Sequence, residues 1–232
     1  MGLLVETVIE ADLDLLWQRT QRSDQHQRWD LRFGSIDDLP SDGPGAPQRF
    51  RYATRIGPGL VIAGTGVTAA DRHHPDGGAT SVLRFGSPHP CCPIRTGQGY
   101  WSYRPDGGTV RFRTGYDYQP RWGRFGRWFD LLVFRPLMAW ATAWSFDRLR
   151  LWCERGIPPE RSLRQAWFEV AVRSAAVALA VGLAVALRSP YPLVLVVAAI
   201  GLPPLPTTPA ARRCHYHPGR CRCRRTANAT KE

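Results

Sequence analysis

The chain has 232 residues, 44% of them apolar, with nine Trp, nine Phe and seven Tyr. That bulk excludes wholesale disorder and leaves room for one substantial domain plus an appendage. The net charge of +12 is uneven: up to Arg161 there are 21 basic and 17 acidic residues, and beyond it 10 and 2, so the basicity belongs mainly to the C-terminal tail. Thirty of the 31 basic residues are Arg, Lys231 being the other. The start, Met1–Glu6, has no basic region followed by a long apolar run, so no secretory signal is readable. Cys91, Cys92 and Cys153 are accordingly expected as free thiols.

In chain order, Leu3–Glu10 is rich in β-branched residues and predicts a strand. Asp12 then precedes Leu13, Leu15, Leu16 and Trp17, the pattern of an N-capped helix. Arg28–Ile36 alternates like a second strand, and a loop follows from Pro40 to Pro47. Further strands are predicted over Arg49–Ile56, Leu60–Ala69, Thr80–Phe85, Ile94–Tyr103 and Thr109–Tyr118. The last two are joined by Pro105-Asp106-Gly107-Gly108, a strong hairpin signal. From Trp122 the period changes: Phe125, Phe129, Leu132, Leu137, Trp140, Ala141, Trp144 and Leu151 recur at helical spacing, with a kink or break expected at Pro136 and a stop at Arg155–Pro159. Strand, helix, about six strands and one long helix predict an α+β fold, a curved antiparallel sheet gripping its last helix.

This order of elements resembles the START/SRPBCC helix-grip superfamily of lipid-transfer domains, allergen-type ligand binders and polyketide aromatase/cyclases. The resemblance covers residues 1 to about 160. It is carried by the early strand and helix with Trp17, the Trp29-Asp30 pair, and the closing Phe146-Asp147-Arg148-Leu149-Arg150-Leu151-Trp152 helix. It implies a pocket for a hydrophobic ligand between helix and sheet.

Past the domain, Arg164–Leu187 predicts a helix. Ser174–Leu187 and Pro190–Pro206 are uncharged runs of 14 and 17 residues, each short of the ~20 that span a bilayer. Two readings arise, a core helix and strand, or a membrane-associated helical hairpin over 161–206 with Trp167 and Phe168 at the interface. The hairpin is preferred, because the helix-grip domain is complete by Glu154. Its Ser189–Pro192 turn would face outward, with the domain and the tail on the cytoplasmic side. Residues 207–232 read as an Arg/Cys-rich disordered tail attracted to anionic membrane lipid. Cys214, His215, His217, Cys221 and Cys223 do not match zinc-ligand spacing, and no metal site is expected. Neither a recognition helix nor an RNA-binding module is visible, so nucleic acid is not an expected partner.

Catalytic spacing is not found: there is no phosphate loop, nucleophile elbow or zinc-protease helix. Gly64-Thr65-Gly66 lies within a strand and reads as a bend. His73-His74 sits in an exposed turn. Alternation places Arg95, Gly97, Gly99, Trp101 and Tyr103 on one face of their strand, and Phe112, Thr114, Tyr116 and Tyr118 on one face of the next. Trp101, Tyr103, Tyr116 and Tyr118, with Trp140 and Trp144 of the long helix, are the candidate ligand-binding residues. Arg95 or Arg113 is the candidate partner for a polar ligand group; the alternative is a set of ordinary cross-strand pairs with solvated arginines. The expected partners are a hydrophobic small molecule (lipid, isoprenoid or aromatic) and membrane lipid, with no cofactor and no catalytic residue assigned. An aromatase/cyclase-like enzyme using the same pocket is the second reading.

Overall fold

The computed structural model describes residues 2–40, 43, 45–57 and 59–218. Strand β1 (Gly2–Ile9) leads into helices α1 (Leu13–Gln21) and α2 (Ser23–Trp29). Strands β2 (Ser35–Asp38), β3 (Arg49–Ile56), β4 (Leu60–His73), β5 (Ala79–Gly86), β6 (Ile94–Asp106) and β7 (Thr109–Pro120) follow as an antiparallel meander. β1 closes on β7, and β8 (His215–Pro218) adds to the outer edge of β1, giving the order β2-β3-β4-β5-β6-β7-β1-β8. Helix α4 (Arg135–Arg155) lies in the concave face. Its Ala139, Ala143, Phe146 and Leu149 pack on Leu3, Val5, Trp101 and Phe112, and the Phe112 and Phe146 rings stack at 4.6 Å. This is the expected helix-grip architecture.

One predicted element differs. Arg28–Ile36 is not one strand: α2 continues to Trp29, whose indole N–H donates to the Arg19 carbonyl at 2.7 Å, and the chain then turns before a short β2. The long helix expected from Trp122 is present as α3 (Gly123–Phe129), a π-helical turn over Asp130–Phe134 and α4, its irregularity falling just before Pro136. Phe129, Asp130, Phe134 and Arg135 are all right-handed helical, so the helix runs unbroken into α4, and Pro136, which has no N–H to donate, follows directly on the wider π turn. Gly156 in the left-handed region (φ 62°) ends α4, as a C-terminal glycine does.

The corner that launches α3 is tight. Trp122 adopts φ 65°, and a Cβ on Gly126 would lie 1.5 Å from the Arg121 carbonyl oxygen. Gly126→Ala is therefore expected to cost at least about 1–3 kcal/mol through forced backbone displacement, read as a lowered urea midpoint with an unchanged slope.

Beyond Pro158, α5 (Pro159–Ala186) and α6 (Val194–Gly201) form an antiparallel hairpin. The first part of the tail, expected to be disordered, is packed instead. Thr208, Ala210, Ala211 and Cys214 are buried. The fully enclosed Asp147 of α4 accepts from the Ala210 N–H at 2.8 Å and Arg213 at 3.0 Å, besides Arg150. The Cys214 thiol donates to the Ala143 carbonyl, and burial pushes it up to about 12. The helix-grip unit therefore extends past residue 160 to include 207–218. Cys221 and Cys223 lie outside the described residues.

Candidate functional site

The inward face of the sheet is built on glycines covered by rings. A Cβ on Gly64 would meet the Tyr52 ring at 2.4 Å, on Gly66 the Phe50 ring at 2.2 Å, on Gly97 the Phe85 ring at 2.6 Å, and on Gly99 the Tyr116 ring at 2.7 Å. Each aromatic lies across a glycine of the neighbouring strand, so the rings form an apolar floor. Gly64 and Gly66 thus serve as ring seats within β4.

Two polar clusters are set into this face. In the first, the Asp30 carboxylate accepts from Arg32 Nε at 2.8 Å and Nη2 at 2.5 Å, and meets His26 Nε2 at 3.0 Å. The Arg32 guanidinium lies 5.0 Å from the Tyr116 ring, whose hydroxyl also accepts from Trp101 Nε1 at 3.5 Å. Burial alone would raise the Asp30 carboxyl, but Arg32 and His26 hold it well below the usual carboxylate range. Burial lowers His26 and outweighs the pull of Asp30. The His26 ring is enclosed by Trp29, Phe33 and Trp101 at 4.9–5.4 Å.

The second cluster is made by the π turn. The Tyr118 hydroxyl donates to Asp130 Oδ1 at 2.5 Å, and Arg135 bonds the other carboxylate oxygen. Burial, then the Asp130 carboxylate, push the Tyr118 hydroxyl upward. In an α-helix, residues five apart do not share a face; the wider π turn, a geometry frequent at functional sites, lets Asp130 and Arg135 meet. Each of these two buried carboxylates is thus paired with an arginine, as a charge taken out of water requires.

Of the sequence candidates, Trp101, Tyr103, Tyr116 and Tyr118 are buried on the inward face. Tyr103 is tied into the core, its hydroxyl bonding Thr20 at 2.7 Å and Gln21 at 3.0 Å. Tyr116 and Tyr118 reach the two polar clusters. Arg95 lies off this face: a register shift between Ile94 and Thr96 breaks the alternation, and its side chain is exposed. Arg113 belongs to the convex face, where it and Arg111 bind Glu6. Trp140 is 45% exposed and stacks on Trp144, which is half-buried and packs against the edge of the core. Sequence reasoning missed His26, Arg32, Asp130 and Arg135. Among the described residues, no group of three His, Cys, Asp or Glu is placed to hold a metal ion; His73 packs on Trp17, and His74 bonds Thr80.

An apolar ridge borders this region on the helical side: Phe125, Trp128, Leu131, Leu132 and Leu137 are each at least half exposed. The hairpin is more apolar still. Within the 28-residue α5 an 18-residue stretch has a mean hydropathy of 1.8 and only 11% of it is buried, so the helix is long and apolar enough to cross a membrane.

No family model matches the chain. It is 47% identical over 165 residues to the uncharacterized membrane protein YndG of Bacillus subtilis (strain 168), a match covering 71% of this chain. The chain spans 61% of that relative's length. Similar solved structures include TTHA0849 from Thermus thermophilus (17% identity, TM-score 0.45, 59% of this chain and 86% of that one). They also include the Zhui aromatase/cyclase from Streptomyces sp. R1128 (15%, 0.42, 53% and 70%) and a START superfamily protein from Mycobacterium smegmatis (13%, 0.44, 63% and 94%).

Proposed function

We propose that this chain is a membrane-anchored binding module for a hydrophobic small molecule, a lipid, isoprenoid or aromatic compound, held on the concave face between α4 and the sheet. The observation that carries this reading is the ring-covered glycine floor, at which the two carboxylates, Asp30 and Asp130, are each paired with an arginine. Apolar ligand sites combine a hydrophobic lining with a few fixed polar groups in this way. The ligand makes room by outward movement of the α3–π segment, whose exposed apolar ridge borders the site. An aromatase/cyclase-like enzyme is the competing reading, and Tyr118 with Asp130 would be its proton-handling pair. The arginine on each buried carboxylate favours binding.

The anchor is the α5–α6 hairpin. From Phe168 to Leu187 the helix rises about 29 Å, close to the ~30 Å of a hydrocarbon core. The return leg is short and partly extended, and it is hydrogen-bonded as a dry environment requires. Arg173, paired with Glu169, donates to the carbonyls of Ala199, Leu202 and Pro203. Glu169 accepts from the Leu205 N–H, and Pro203, Pro204 and Pro206 have none to satisfy.

Native mass spectrometry of the detergent-purified chain, followed by solvent extraction, tests the ligand. A stoichiometric apolar compound is expected, lost at least tenfold in Tyr116→Ala or Trp101→Ala. A chain that carries nothing and takes up no lipid, isoprenoid or aromatic probe would end the binding reading.

A further inference from the structure

The base of the hairpin holds a feature that the ligand site does not use. A cavity of about 420 Å³ lies between the first turns of α5 and the segment leading back to the domain, lined by Arg161, Arg164, Gln165, Phe168, Leu205 and Thr207. Its size suits a small ligand. Arg161 and Arg164 stand one turn apart on the same face, and no ion pair is found for either among the described residues. The neighbouring carboxylates are engaged elsewhere, Glu160 by Arg28 and Glu169 by Arg173. Gln165 places a buried side-chain oxygen there without a partner, and rotation of its amide would present the NH₂ group instead. The lining therefore combines two guanidiniums, an amide and a hydroxyl with no carboxylate, the donor set of a phosphate site. Phe168 and Leu205 add an apolar side that continues into the hairpin.

Position along the helix fixes the source of the phosphate. Phe168 is 71% exposed and marks where the apolar surface begins. Arg164 and Arg161 lie four and seven residues below it, about 6 and 10 Å along the axis. Headgroups occupy the outer ~5–8 Å on each side of a bilayer, and arginine side chains reach several ångströms toward them. We propose that this groove binds the phosphate of an anionic glycerophospholipid, Arg161 and Arg164 holding the phosphate while Phe168 and Leu205 flank the start of the acyl chains. The inference rests on the hairpin lying in a bilayer.

The full-length chain, reconstituted with vesicles of phosphatidylcholine alone or mixed with phosphatidylglycerol, tests it. Flotation with pure phosphatidylcholine vesicles reports insertion, and native mass spectrometry after extraction reports which lipid is retained. Retained phosphatidylglycerol is expected for the wild type, with affinity about tenfold or more lower in Arg161→Gln/Arg164→Gln. Arg124→Gln/Arg127→Gln, which removes the same charge from exposed positions of α3, should retain the lipid unchanged. Equal loss in both variants would reduce the effect to bulk charge and overturn the site, as would retention in the first variant. Inorganic phosphate competing at equal affinity would reassign the groove to a free anion. Failure to float with either vesicle would instead remove the membrane reading itself.

Discussion

Asp30→Ala is expected to destabilise the fold by about 3–5 kcal/mol, a large share of the ~5–15 kcal/mol that holds a domain together. The substitution removes the carboxylate that pairs with Arg32 and leaves a guanidinium enclosed with Tyr116 and Phe33. The cost is that of an uncompensated buried charge, not the net worth of the pair. Asp30→Leu combined with Arg32→Met should accordingly recover most of the loss. Urea denaturation of the wild type and the two variants measures this; a double variant no better than Asp30→Ala would refute the account. The pH dependence follows from the same cluster. Asp30 has a folded pKa depressed below its unfolded value near 4, so its contribution is present above that pH and lost only in stronger acid. His26 is also depressed, so its neutral form favours the fold above about pH 6.5, and that contribution is lost as the pH falls toward the folded value. His26→Gln should flatten this part of the thermal-stability profile, leaving the more acidic part.

Replacing residues 174–198 by a short Gly-Ser linker is expected to move the protein from the membrane pellet to the supernatant while leaving the domain folded. The ends of the cut are close, since Arg173 bonds the Ala199 carbonyl at 2.6 Å. Truncation after Pro206 removes the packed tail and keeps the α5–α6 hairpin. It strips Ala210 and Arg213 from the buried Asp147 and uncovers Ala143 and β1, and each unmet buried group costs about 1–3 kcal/mol. Sedimentation with thermal melts should therefore show the linker variant soluble and near wild-type stability, and the truncated chain still in the pellet but several degrees less stable. A linker variant still pelleting with detergent-sensitive membranes would assign attachment to another surface.

The meander β3–β7 is legible in the sequence because each strand alternates between turn residues of fixed chemistry, and the hairpin because charge vanishes over two runs. The region around Trp29 is not. Ser23–Arg28 has no apolar period, and Trp29, Leu31 and Phe33 mimic strand alternation while the backbone turns. Asp130 and Arg135 escape notice because their spacing of five fits no α-helical face and becomes a contact only through a π turn. Arg95 is misplaced by one irregular residue at the start of β6, since a single slip exchanges the two faces of a strand. The packed start of the tail is hidden by composition: a run dense in arginine reads as solvated unless Asp147, more than sixty residues earlier, is known to await it.

The return of the chain to β1 has a consequence for biogenesis. β8 is synthesised after both legs of the hairpin, more than two hundred residues behind the strand it covers. Throughout synthesis the outer edge of β1 therefore stays open, with Leu4 to Glu6 offering unmatched backbone groups to any passing strand. The last strand of the sheet is thus made only after the apolar hairpin. A chain in which β8 does not dock is left with an uncapped sheet edge, and aggregation or proteolysis would remove it.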